Sequence, residues 1–151
     1  MSVDQEALTI RHPGLISVVI PAYNEGARIA RCLRETHETM TSLGSDFELI
    51  VVDDGSYDDT LSLARLAAED LAGVRVIGYP ENLGKGYALV EGAKEAKGDL
   101  ILFVDADLEV HPRQLGLLYA VLIGLEADVV IGSKMHPSST CLLYTSPSPR
   151  D

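Results

Sequence analysis

A chain of 151 residues with 46% apolar and 23% charged residues can bury the core of one globular domain, so disorder is not the default reading. Its formal net charge of −11 argues against nucleic acid as a partner. Cys32 and Cys141 stand far apart without a C-x-x-C partner, so neither a zinc site nor a disulfide framework is indicated, and a reducing, cytoplasmic compartment fits.

Residues 1–14 read as a polar leader with no basic stretch ahead of an apolar one, so no signal peptide is expected. Residues 16–20 read as a first strand closed by Pro21. Asn24 reads as the cap of a helix in which Ile29, Cys32 or Leu33, Thr36, Met40 and Leu43 recur at helical spacing until Gly44 stops it. A second strand covers about 47–52. Ser56 with Asp59 resembles a capping box, opening a helix with Leu61, Ala64, Ala68 and Leu71 inward.

A short third strand at 74–78 is followed by the loop 80–86 and a helix ending near Ala96. The fourth strand is 100–104, a helix runs from near Pro112 to about Leu125, and 128–131 reads as a last strand. The most apolar stretch, 115–131, is broken by Glu126 and Asp128 and falls short of the roughly 20 residues that cross a bilayer. Strand and helix alternate throughout, which predicts an α/β fold with a parallel sheet covered by helices. Residues 139–151 break the pattern as a non-native or disordered tail. Within it, 141–151 resembles translated read-through of a sequencing adapter, so the true chain is expected to be longer, and resequencing across the codon for Cys141 tests this.

Two of the strands end in acids: 49–52 runs into Asp53-Asp54, and 100–104 into Asp105-Ala106-Asp107. Strands buried on both faces exclude unpaired charge, so acids belong at their ends, and the carboxyl ends of open parallel sheets are where ligands bind. Turn preference accounts for either pair alone better than for both. The loop Asn82-Leu83-Gly84-Lys85-Gly86 places an ammonium between small residues that let backbone approach a ligand. It is neither a Walker A loop nor a dinucleotide fingerprint, since Leu89 stands where a third glycine would be.

Together with the run Val18-Val19-Ile20-Pro21-Ala22-Tyr23-Asn24-Glu25, these motifs resemble family 2 glycosyltransferases of the GT-A fold over about 16–138. Within that family the chain looks most like enzymes that move a hexose onto a polyprenyl or dolichyl phosphate, given Asp105-Ala106-Asp107-Leu108 and Ile131-Gly132-Ser133-Lys134. The resemblance implies a Rossmann-like sheet with helices on both faces, forming a nucleotide-sugar-binding domain over 15–138. It implies that Pro21, Ala22, Tyr23 and Glu25 line the nucleotide pocket, that Asp53 accepts a nucleobase N–H, and that Asp54 supports the loop. Gly84, Lys85, Asp105 and Ala106 would also meet the donor. Asp105 and Asp107 would be the catalytic pair, holding Mn²⁺ or Mg²⁺, with Glu109 as a further ligand where relatives often carry Gln.

Lys134 would face the acceptor phosphate, whose oxygen is already anionic, so no strong general base is required. Inversion by single displacement is implied. The partners expected are a nucleotide-sugar donor and a lipid-phosphate or glycan acceptor, at the cytoplasmic membrane face if the acceptor is a lipid. A sugar-hydroxyl acceptor would need a base beyond Ser138, while His111 and His136 read as structural or surface residues. A fragment that binds donor without turnover is a further alternative. So is a phosphoacceptor receiver domain, whose acidic pair, further Asp and Lys are mimicked by Asp53, Asp54, Asp105 and Lys134.

Overall fold

The computed structural model describes residues 14–124. The expected strand at 128–131, Lys134, His136 and the tail from 139 lie outside the described residues, as do residues 1–13.

Four strands form one parallel sheet: β1 (Leu15–Ala22), β2 (Asp46–Asp54), β3 (Val74–Tyr79) and β4 (Leu100–Phe103), in the order β3-β2-β1-β4. The central pair explains its own sequence. Ile16, Val18, Ile20, Leu49 and Val51 face one layer, Val19, Ile50 and Val52 face the other, and all are fully buried. Each such side chain removed from water contributes roughly 1.5–3 kcal/mol, so a run apolar at every position suits a strand covered on both sides.

The first layer holds α1 (Ile29–Ser42), α2 (Thr60–Glu69) and α4 (Gln114–Gly124), through Ile29, Leu33, Met40, Ala64, Leu115 and Tyr119. The opposite layer is α3 (Lys85–Glu95), which sets Ala88 against Val19, Ile50 and Val52. Helices therefore cover both faces, as expected. Among the described residues no helix is long and apolar enough to cross a membrane.

Strand order decides between two expected architectures. A receiver domain would put β3 beside β1, in the order 2-1-3-4-5, whereas here β3 pairs with β2 and β4 takes the far side of β1. The receiver reading is thereby excluded. The order reverses between β1 and β4, which opens a crevice beyond their carboxyl ends.

Three local expectations are corrected. Pro21 does not close β1, whose register continues through Pro21↔Val52 and Ala22↔Asp53. The carbonyls of Leu15 and Val19 accept from Asp99 and Val104 on the β4 side, so the strand's alternation turns Pro21 nitrogen to that side too. Pairing with β4 has ended there at Val19↔Phe103, and no donor is missed. Asn24 is not a helix cap: at φ 52 it lies in a turn before α1, whose N-cap is Arg28. Nor do Ser56 and Asp59 form a capping box. Asp58 Oδ1 accepts the Thr60 N–H at 2.9 Å in its place, and Thr60 hydroxyl also donates to Asp58.

Candidate functional site

The loop after β1 is latched to the loop after β2. Asn24 N–H donates to Ser56 Oγ at 2.9 Å, Tyr57 N–H to Asn24 Oδ1 at 3.1 Å, Glu25 N–H to Thr60 Oγ1 at 2.8 Å and Gly26 N–H to Asp58 Oδ2 at 3.1 Å. Hydrogen bonding to Thr60 holds the Asp58 carboxyl below its usual range, so it stays an acceptor. Tyr23 and Tyr57 meet edge to face with centroids 6.3 Å apart, and Glu25 pairs with Arg28 at 3.0 Å.

At the end of β2 the two aspartates do different things, because alternation sends them to opposite faces. Asp54 points to the α3 side and holds a strap of chain: Oδ1 accepts from Tyr79 hydroxyl at 2.8 Å and Leu83 N–H at 2.9 Å. Its Oδ2 accepts from Gly84 N–H at 3.1 Å and Asn82 Nδ2 at 3.2 Å. Burial and this bond to Asp54 push the Tyr79 phenol well above its ordinary range, which keeps it a donor. Gly55 between the loops has φ 65, and a Cβ there would lie 2.3 Å from the Glu81 carbonyl carbon, so only glycine fits under the strap.

Asp53 is 2% exposed on the other face; its Oδ2 accepts from Ser56 N–H at 3.3 Å, while Oδ1 has no hydrogen-bond partner. A buried carboxylate oxygen left unpaired is costly and marks a place where a donor is missing.

The strap delivers Lys85, the first residue of α3, to the crevice, where Nζ lies 2.5 Å from Asp105 Oδ1. Below this loop α1 supplies Cys32, whose Sγ is 3.9 Å from the Asp105 carbonyl oxygen. Burial pushes its thiol up to about 11, so it packs as a neutral group.

One cleft of about 330 Å³ results, lined by Pro21, Ala22, Tyr23 and Glu25 from the first loop and by Asp105, Ala106 and Asp107 after β4. Asp54, Asn82, Gly84 and Lys85 complete it. Ten of the thirteen site residues expected from sequence are thus brought together. Asp53 does not line the cleft, and Lys134 lies outside the described residues.

Glu109 also falls outside the lining, contrary to the expected three-carboxylate set, and no group of three His, Cys, Asp or Glu suited to a metal exists among the described residues. Its backbone N–H donates to Asp107 Oδ1 at 2.9 Å, while Leu108, at φ 60, packs against the core. The cleft therefore offers Asp105 and Asp107 as hard oxygen donors. Two carboxylates suit Mn²⁺ or Mg²⁺, which keep waters and take further oxygens from a substrate's phosphates.

Sequence reasoning assigned no role to Tyr79 and none to Asn82, which both lines the cleft and braces Asp54. The signal for Asn82 was its place at the head of the Asn-Leu-Gly-Lys-Gly run. His111 does not line the cleft; it lies 3.1 Å from Glu35 on α1 and accepts the Arg113 N–H on Nδ1.

Comparison with known proteins agrees with this geometry. The model of glycosyl transferase family 2 matches residues 17–150. An undecaprenyl-phosphate 4-deoxy-4-formamido-L-arabinose transferase of Pseudomonas paraeruginosa is 41% identical over 102 residues, covering 67% of this chain and 30% of that protein. Glycosyltransferase AglD of Haloferax volcanii is 41% identical over 125 residues, covering 81% of this chain and 20% of the relative. The chain thus spans less than a third of these relatives' length.

Among solved structures, a mannosyltransferase of Pyrobaculum calidifontis in complex with GDP-Man and Mn²⁺ superposes with TM-score 0.55 at 32% identity, over 64% of this chain and 28% of that one. Glucosyl-3-phosphoglycerate synthase of Mycobacterium tuberculosis, in complex with Mn²⁺, UDP-glucose and phosphoglyceric acid, does so with TM-score 0.56 at 32% identity, over 72% and 39%. Motifs, strand order and relatives agree, and this chain belongs to glycosyl transferase family 2.

Proposed function

We propose that residues 15–138 are the donor-binding part of a longer, inverting glycosyltransferase. It moves a hexose from a GDP- or UDP-linked donor to a polyprenyl or dolichyl phosphate at the cytoplasmic membrane face. The observation that carries the reading is the convergence of Asp105, Asp107 and Lys85 with the loop 21–25 on one cleft at the sheet's switch point. The lipid-phosphate acceptor is supported by the undecaprenyl-phosphate transferase among the relatives, and the divalent cation by the Mn²⁺ complexes among the structural neighbours.

In this reading Tyr23 and Glu25 form the wall for base and ribose, while Asp53, buried and outside the cleft lining, acts behind that wall by accepting the Ser56 N–H of the loop that holds Asn24, and not by touching the base. Asp105 and Asp107 would hold Mn²⁺ or Mg²⁺. When bound, such an ion supplies electrostatic neutralisation of the departing diphosphate. Lys85 adds a positive charge on the same phosphates. The acceptor phosphate oxygen, held by Lys134, forms the new bond to the anomeric carbon as the bond to the diphosphate breaks on the opposite face. The leaving group takes the electron pair, and no proton need be removed from the acceptor.

The full-length gene product, given GDP- and UDP-hexoses, Mn²⁺ and undecaprenyl or dolichyl phosphate, should yield a lipid-linked sugar of inverted anomeric configuration. Transfer to a sugar hydroxyl alone, or retained configuration, would refute the acceptor or the inversion respectively.

A further inference from the structure

The cleft carries four carboxylates, from Glu25, Asp54, Asp105 and Asp107, against the single ammonium of Lys85. Asp54 is occupied by the four donors of the strap and Glu25 by Arg28. Asp105 is occupied by Lys85 itself, with both side chains about half exposed or more, at 60% and 48%. A carboxylate in an ion pair with an ammonium is a poorer ligand for any other cation, and an ammonium in that pair is a poorer partner for phosphate.

We infer that Lys85 is a place-holding cation: it occupies Asp105 in the free protein and exchanges that carboxylate for the donor's phosphates when metal and nucleotide enter together. The inference rests on the proposed metal-assisted reading and deepens it. Its consequence is coupling. Metal alone must displace Lys85 from Asp105, and nucleotide alone must draw Lys85 away and leave Asp105 unpaired in an acidic cleft, so each ligand lowers the cost of binding the other. The backbone needs no movement, because the strap held by Asp54 fixes the start of α3 and a flexible four-carbon side chain makes the exchange.

The test is a pair of titrations on the full chain: Mn²⁺ alone, followed by the free-ion paramagnetic resonance signal, and GDP or UDP in saturating Mn²⁺, followed by calorimetry. Lys85→Met should bind Mn²⁺ alone about two- to fivefold more tightly than wild type, the scale of a released exposed ion pair. It should bind the nucleotide in Mn²⁺ more weakly, and the opposite signs are the signature of exchange. Lys94→Met is the charge-matched control, because Lys94 pairs with Glu91 on α3 and does not line the cleft.

Tighter Mn²⁺ binding in Lys85→Met but not in Lys94→Met supports the inference. Equal tightening in both would reduce the effect to net charge and overturn it, as would weaker or unchanged Mn²⁺ binding in Lys85→Met. A wild type that binds nucleotide equally with and without Mn²⁺ overturns the metal-assisted reading, and the inference with it. Cooperative binding in the wild type with no Lys85 effect overturns the exchange alone.

Discussion

Replacing Asp54 by Asn tests whether a single carboxylate organises the cleft. Four donors converge on its two oxygens at 2.8–3.2 Å, and an amide keeps one oxygen, so in either orientation two donors face an N–H₂ group. Each hydrogen bond lost to an ionised acceptor is worth roughly 1.5–3 kcal/mol, giving about 3–6 kcal/mol if nothing relaxes. Asn82 and Leu83 are exposed, and water can reach part of the loss, which brings the expected cost to about 2–4 kcal/mol. That lies below the roughly 5–15 kcal/mol of a typical domain, so the fold should survive while the strap loosens. Urea unfolding should show the loss, and amide exchange at Leu83 and Gly84 should accelerate far more than at Val51 in the core. Wild-type exchange at Leu83 and Gly84 together with an unchanged urea midpoint would refute the reasoning.

A Cβ at Gly92 would lie 2.2 Å from Val19 Cγ1, so Gly92→Ala should destabilise by about 1–3 kcal/mol, and adding Val19→Ala should cost less than the sum of the two single effects. Strict additivity in urea melts would contradict this contact. For Glu48, burial raises the carboxyl pKa, but hydrogen bonds from Lys97 N–H, Ser17 and Arg75 outweigh it and hold the group below the 4.5 of a free glutamate. The stability it contributes is present above that value and disappears as pH falls through the lowered one. Glu48→Gln should therefore cost about 1–3 kcal/mol at neutral pH, and its deficit should shrink in acid; a deficit that stays constant until the wild type itself unfolds in acid would refute the assignment.

Much of this architecture was legible because β1 and β2 are apolar at successive positions and α1 keeps one buried stripe, Ile29, Cys32, Leu33, Thr36 and Met40. The cleft was legible for a related reason, since burial of those strands on two faces drives unpaired acids to their ends; Glu48, inside β2, is kept there by Arg75, Ser17 and the Lys97 N–H. What escaped was long-range. Asn24 and Ser56 each have the local chemistry of a cap, but Ser56 Oγ accepts the Asn24 N–H and Asn24 Oδ1 the Tyr57 N–H, across 32 and 33 residues of sequence. The resemblance already separated Asp53 from Asp54, and Asp54 supports the loop as expected, whereas the burial of Asp53 outside the cleft lining follows only from the pleat. Glu109 has metal-ligand spacing from Asp107, yet the left-handed turn at Leu108 cannot be read from a leucine, a residue that rarely adopts it.

The central claim is that Asp105 and Asp107 hold a cation together with the pyrophosphate of a sugar nucleotide. Calorimetric titration of GDP and UDP into wild type and Asp107→Ala, each with Mn²⁺ and with chelator, tests it directly. The account predicts Mn²⁺-dependent binding of one nucleotide in the wild type, and loss of that dependence in Asp107→Ala with the urea midpoint retained. Unchanged Mn²⁺-dependent affinity in a folded Asp107→Ala would contradict it.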